Sequence, residues 1–306
     1  MNKTYKYVSY LWDHEKANQL NDEVELFIYR SNLLGADLRL TNYGGGNTSV
    51  KIVDADPLTG KQTDVMWIKG SGGDIGTLKK SGCAALYMDR LLSIKSVYRG
   101  LEYEDEMVGL FNHCIYDLDS KAPSIDTPLH GFLPFKHIDH LHPDAAIAIA
   151  AAKDGKRITH ELFNGEIGWV EWQRPGFDLG LKLQKCLEEA AENGIALKGI
   201  MLGSHGLFTW GETSFESYIN TLDVIEKCAE YLESNYNNVF GGKKLDSLEV
   251  TERKNIAANI APTLRGYCSS ERFMIGHFSD DERVLEFINS NDLARLAPMG
   301  TSCPDH

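Results

Sequence analysis

The residues best equipped for chemistry lie in Lys136-His137-Ile138-Asp139-His140-Leu141-His142-Pro143-Asp144, where three histidines and two aspartates fall within nine positions. An extended backbone alternates its side chains with period two, so a strand over 138–142 turns His140 and His142 the same way. Two imidazoles on one face make half of a divalent-metal site, since a catalytic zinc takes three protein ligands and keeps one position open. An isolated His-x-His also fits a polar turn, so the rest of the site has to come from elsewhere. Gly203-Ser204-His205-Gly206 follows a short apolar run, Gly199-Ile200-Met201-Leu202. That places a histidine between glycines at the end of a strand, either as a third ligand or as a loop residue with its ring satisfied.

A carboxylate and an anion cradle complete the inventory. In Pro123-Ser124-Ile125-Asp126-Thr127-Pro128-Leu129-His130 the prolines mark a loop. Asp126 there reads equally as a cap for a helix over 127–133 or as a catalytic carboxylate. Two glycine clusters, Asn42-Tyr43-Gly44-Gly45-Gly46-Asn47-Thr48-Ser49 and Lys69-Gly70-Ser71-Gly72-Gly73, let backbone N–H groups approach a ligand closely. With their hydroxyls and one lysine they form a cradle for an anion. Neither has the spacing of a nucleotide P-loop or a dinucleotide fingerprint.

Ordinary elements must position these groups. Leu20, Val24, Phe27, Ile28 and Ser31 recur at helical spacing and predict a helix over 14–34. Thr48, Val50, Ile52 and Val53 predict a strand, and so does Val65-Met66-Trp67-Ile68. Helices are expected over 77–95 and 103–118. Glu161, Glu166 and Glu171 sit among aromatic residues in 159–173 and read as solvated surface. Leu179, Leu183, Leu187 and Ala190 line a helix that stops at Asn193-Gly194. Thr213-Ser214-Phe215-Glu216 is a capping box opening a helix to about Tyr236. Polar composition around 237–244 suggests a boundary, dividing 1–240 from a 241–306 α/β extension. That extension is expected to hold a strand over 272–276 and a helix capped by Ser279-Asp280-Asp281-Glu282. The run Met299–His306 does not read as a finished element, so the polypeptide is expected to continue.

Composition excludes several classes. The 306 residues suit one large domain or a domain with an appendage. The net charge of 31 − 44 = −13 and pI near 5.2 argue against nucleic-acid binding, which needs a basic footprint. A phosphorylated small substrate needs only local N–H groups and one or two cations. Met1–Tyr10 lacks the apolar core of a leader, and no run approaches a membrane span. The six cysteines are scattered with no Cys-x-x-Cys, as expected for reduced thiols in the cytoplasm.

Taken in order, these motifs resemble those of the class II aldolase/adducin family over roughly residues 15–240. Gly45-Gly46-Asn47-Thr48-Ser49-Val50 is similar to its first phosphate loop and Lys69-Gly70-Ser71-Gly72 to its second. Pro123-Ser124-Ile125-Asp126 sits where the family carries proline-serine-serine-glutamate. His140-Leu141-His142 is similar to its metal pair, and Ser204-His205-Gly206 to its third metal histidine. Around Pro128–Asp144 and over 245–306 the chain looks most like the aldolase part of bifunctional rhamnulose-1-phosphate aldolase/short-chain dehydrogenase proteins.

The resemblance implies a single α/β domain with a central, mostly antiparallel sheet flanked by helices. It implies Zn²⁺ or another divalent ion on His140, His142 and His205, with His130 and His137 as nearby competitors. It implies a substrate phosphate on Asn47, Thr48, Lys69, Ser71, Gly72 and Ser124, and Asp126 as general acid/base. The implied reaction is cleavage of a ketose 1-phosphate to dihydroxyacetone phosphate and an aldehyde, in a homotetramer. L-Rhamnulose 1-phosphate and L-lactaldehyde are the implied pair. The proton donor to the aldehyde would be Glu161, Glu166, Glu171 or a residue of a neighbouring subunit. Sugar-phosphate 4-epimerisation, dehydration, or a non-catalytic adducin-like scaffold are the alternatives on the same frame. A dehydrogenase domain would follow this chain in the bifunctional proteins.

Overall fold

The computed structural model describes residues 4–20, 22–41, 45–236 and 239–299. Asn42, Tyr43 and Gly44 of the first glycine cluster and residues 300–306 lie outside the described residues. The chain divides into two compact units, one reaching to Glu233 and the other beginning at Ser234.

The first unit is built on a seven-stranded sheet. Its strands are β1 Asn47–Ala55, β2 Gln62–Lys69, β3 Cys83–Tyr87, β4 His137–Leu141, β5 Ile167–Val170, β6 Gly199–Leu202 and β7 Gly206–Gly211. They lie in the order β3-β2-β1-β4-β7-β6-β5, every pair antiparallel except β5 with β6. The mostly antiparallel sheet flanked by helices implied by the family resemblance is the one found. Its helices are α1 His14–Asn18, α2 Glu23–Ala36, α3 Met88–Ser93, α4 Glu104–Leu110, α5 Thr127–Gly131, α6 Asp144–Ala150, α7 Gly155–Leu162, α8 Phe177–Glu192 and α9 Ser214–Asn235.

Strand β4 lies centrally and all five of its residues are buried, so its two faces must satisfy different layers. Leu141 packs with Leu34 of α2 and Tyr218, Leu222 and Ile225 of α9. Ile138, on the other face, packs with Leu129 of α5 and Leu179 and Leu183 of α8. The α2/α9 face also buries charge. Arg30, from the inner side of α2, has no exposed surface and donates from Nε to Asp139 Oδ1 at 2.9 Å. Its other nitrogens reach His137 Nδ1 at 2.7 Å and the Ser49 carbonyl at 2.9 Å. The second Asp139 oxygen accepts from Ser217 of α9 at 2.7 Å. A buried ion pair is tolerated when its remaining hydrogen-bonding capacity is met in this way.

Several expectations need correction. The helix over 14–34 is two helices, because Asp13 and Asp22 each cap a separate start. Residues 83–87 are strand β3, not helix. Their uninterrupted apolar run fits a fully buried strand as well as a helix, and periodicity cannot separate the two. In 103–118 only α4 and a 3₁₀ turn at Phe111–Cys114 form. The second unit carries α10 Val250–Cys268, α11 Glu282–Ile288 and α12 Leu293–Leu296 and no strand among its described residues. The expected α/β extension is therefore helical. Residues 272–276 form no strand, and Phe273 and Ile275 are 87% and 96% exposed. Among the described residues no helix is long and apolar enough to cross a membrane.

An Asp139→Ala substitution leaves the Arg30 guanidinium buried without its counter-charge. It is expected to cost about 3–5 kcal/mol of unfolding free energy, measured by urea titration. A loss within experimental error would show that the pair does not hold these layers together.

Candidate metal centre

His140, His142 and His205 are buried and come together, with ligand-capable atoms within 4.8 Å of one another. His140 leaves the sheet on the face opposite Asp139. Its Nδ1 lies 3.1 Å from the Leu207 carbonyl of β7. That carbonyl can only accept, so Nδ1 carries the proton and Nε2 is presented to the site. The ring also stacks on Phe208, centroids 4.3 Å apart and planes 9° from parallel. His142, just past the end of β4, brings its Nε2 to 3.1 Å from that of His140. Two imidazole lone pairs at that distance repel unless a proton or a cation lies between them. Three imidazoles so gathered suit zinc or a similar divalent ion.

His205 arrives from the other side on the Gly203-Ser204-His205 loop between β6 and β7. Ser204 takes φ +55° there, a left-handed conformation that closes the turn. Gly206 is required by space: a Cβ would lie 2.6 Å from the Leu141 carbonyl and 2.8 Å from His142 Cδ2. The two potential competitors are elsewhere. His137 faces Arg30 on the opposite side of β4, and His130 Nδ1 pairs with Ser49 Oγ at 2.8 Å.

Asp126 occupies the N-cap position of α5 but makes no capping hydrogen bond with its side chain. Its carboxylate instead accepts from Asn47 Nδ2 and Ser124 Oγ, each at 3.4 Å. Asn47 in turn sits directly across from His140 in the β1–β4 register. Cross-strand neighbours lie on the same face, so the carboxylate cluster adjoins the histidines. Lys69 is only 4% exposed. Burial pushes its ammonium down, while the charges of Asp126 and Asp74 pull it back up. Ser71 and Gly72 are exposed on the following loop. Thr48 does not join this group through its side chain: the hydroxyl bonds Ser31 of α2 at 2.7 Å, because alternation along β1 turns it to the opposite face. Glu161, Glu166 and Glu171 lie in surface ion pairs with Arg157, Lys198 and Lys156.

Sequence reasoning passed over Arg30, Ser49 and Lys51. Their signals were present: an arginine among the apolar positions of an amphipathic helix, and a polar stripe at 47, 49 and 51 repeating with the period of a strand.

The profile of the Class II Aldolase and Adducin N-terminal domain matches residues 27–232, and the second domain of class II aldolases matches residues 255–306. The chain belongs to the class II aldolase/adducin family. It is 41% identical over 301 residues to the Bacillus subtilis (strain 168) protein named "Uncharacterized oxidoreductase YuxG". That match takes in 98% of this chain and 43% of the relative, so the chain spans less than half the length of the curated relative. Among solved structures it is similar to the N-terminal class II aldolase domain of a conserved protein from Thermoplasma acidophilum. The TM-score there is 0.63 at 28% identity, covering 70% of this chain and 95% of that one. The YgbL protein from Klebsiella pneumoniae shares the fold, with TM-score 0.50 at 16% identity over 78% of this chain and 98% of its own.

Burial sets the charge state around the centre. It holds His140 well below the usual histidine range, helped by His142 and His205. It does the same to His130, with Lys51, Arg30 and Lys69 adding to the effect. His137 is pushed down to about 2 by burial and then by Arg30. A histidine that stays neutral when folded binds a proton near pH 6.5 once unfolded. The unfolded chain therefore takes up more protons in acid, and stability present above about pH 6.5 is lost as pH falls. Each of His130 and His137 is expected to cost up to about 1.4 kcal/mol per pH unit below that point. Urea unfolding of a His137→Gln variant should show a slope shallower by one proton; an unchanged slope would count against a neutral buried His137.

Proposed function

We propose that this chain is a divalent-metal-dependent aldolase acting on a ketose 1-phosphate. By resemblance the substrate is L-rhamnulose 1-phosphate and the products are dihydroxyacetone phosphate and L-lactaldehyde. The observation that carries this reading is the gathering of three buried histidines, from β4, the residue just past it and the β6–β7 loop, beside a carboxylate whose side chain makes no helix-capping hydrogen bond. His140, His142 and His205 would hold Zn²⁺ or another divalent ion, which when bound acts as a Lewis acid toward the negative charge that carbon–carbon cleavage leaves on the dihydroxyacetone phosphate half.

The chain's own residues supply the rest. Lys69, Asn47 and Ser124 line one polar cluster with Asp126 and would take the phosphate together with main-chain N–H groups at Ser71 and Gly72. Asp126 would move the proton to and from C3 of the dihydroxyacetone half. Because Glu161, Glu166 and Glu171 are engaged in surface ion pairs, we place the group that takes the C4 hydroxyl proton as the aldehyde forms, and returns it in the aldol direction, on a neighbouring subunit of a cytoplasmic homotetramer. We assign the lyase to residues 1–240 and an accessory role to 241–306. A dehydrogenase domain following them would account for the greater length of the Bacillus subtilis relative.

Purified protein is expected to retain close to one zinc per chain by elemental analysis, and His205→Ala to lose it. Asp126→Asn should keep the metal and lower kcat by about 10²–10⁴-fold. Product analysis with L-rhamnulose 1-phosphate and L-ribulose 5-phosphate decides the chemistry: epimerisation without cleavage would replace the lyase, and an absence of both metal and turnover would leave a scaffold.

A further inference from the structure

Helix α5 carries Asp126 at its start and His130 in its last turn, and it is joined to β1 by a row of polar contacts at the strand's own period. Asn47 donates to the Asp126 carboxylate at 3.4 Å. Ser49 pairs with His130 Nδ1 at 2.8 Å. Lys51 Nζ donates to three carbonyl oxygens, those of His130 at 2.9 Å, Leu133 at 2.7 Å and Phe135 at 2.8 Å. The carbonyls at a helix end have no donors within the helix, and here one ammonium answers that of His130 in the last turn of α5 and two more, of Leu133 and Phe135, in the segment that follows it. On its other side α5 is wedged against α8, where a Cβ on Gly180 would lie 3.0 Å from the Pro128 carbonyl carbon and from Phe132 Cδ2. Apolar packing of that kind is non-directional and does not by itself fix where the helix sits along β1. The polar row does, and Lys51 makes the most bonds in it.

We propose that Lys51 is a positioning residue of the lyase site: by gripping the end of α5 it sets where Asp126, at the start of the same helix, presents its carboxylate. This rests on the reading that Asp126 handles the proton. Around the ammonium stand Glu212, whose charge favours the protonated form, and His130 and His137, whose protonation the ammonium opposes. Burial pushes Lys51 down to about 7, so the comparison belongs at slightly acid pH, where the ammonium is charged.

The test compares Lys51→Met and Lys51→Arg in the wild-type and Asp126→Asn backgrounds, reading kcat, KM and zinc content. Lys51→Met is expected to lower kcat by about tenfold to a hundredfold at unchanged KM and zinc, and Lys51→Arg, which keeps several donors, to recover most of it. In Asp126→Asn, adding Lys51→Met should bring no further loss, since residues acting through one another are non-additive. Multiplying losses, or an unaltered kcat in Lys51→Met, would overturn the proposal. Undiminished turnover in Asp126→Asn alone is a different result: it removes Asp126 from the mechanism before Lys51 is touched. Crystal structures of the two Lys51 variants give a readout independent of turnover. Asp126 should leave Asn47 and Ser124 in Lys51→Met and stay in Lys51→Arg; an unmoved Asp126 in both overturns the assignment. Should Lys51→Met fail to fold, Lys51→Gln, with one amide for three carbonyls, is read the same way.

Discussion

The ion pair between Arg30 and Asp139, sealed between α2, β4 and α9, is the constraint on which the rest of the first unit depends. Side chains alternate along a strand, so holding Asp139 toward the helices obliges its neighbour His140 to face the other way. Isolated charges are expensive to bury. This pair is tolerable because Ser49, His137 and Ser217 complete its bonds, and a one-residue slip of β4 would break the ion pair itself and the bonds made by His137 and Ser217. The register that places His140 beside Asn47 and Phe208 is therefore secured from the back of the sheet.

The front of the sheet is where the chemistry collects. Strands β1, β4 and β7 are neighbours there although Asn47, His140 and His205 are far apart in the chain. Close backbone approach is part of the arrangement, since the missing side chain at Gly206 makes room for His142 and the Leu141 carbonyl. Membership of the class II aldolase/adducin family accounts for this frame. The polar stripe on β1 adds a second fixed line, along which the carboxylate of Asp126 and the histidine rings are held in one register.

Where sequence reasoning departed from the structure, the cause was non-local for the strand over 83–87 and an overrun local signal, alternation or a cap, for Thr48 and the first helix. The run Cys83–Tyr87 became a strand because β2 offered it an edge, while residues 272–276 form no strand. Thr48 was grouped with Asn47 by adjacency in a glycine-flanked loop, yet strand alternation sends its hydroxyl to Ser31. The helix over 14–34 broke because Asp22 starts a fresh helix, a cap that the apolar periodicity overran.

The amino-acid sequence by itself pointed to the residue types of the histidine and carboxylate cluster, the shared face of His140 and His142, the capping box that opens α9, a helix start within Ser279–Glu282, and the family. These follow from rules acting over a few residues: strand alternation, capping and motif order. Only the tertiary structure decided that His205 joins the pair while His130 and His137 do not, and that Asp126 directs its carboxylate to Asn47 rather than to its own helix. Such convergence depends on which strands lie side by side and in what register, and that is settled by packing between segments far apart in the chain, 79 residues for Asn47 and Asp126, beyond the reach of any local pattern.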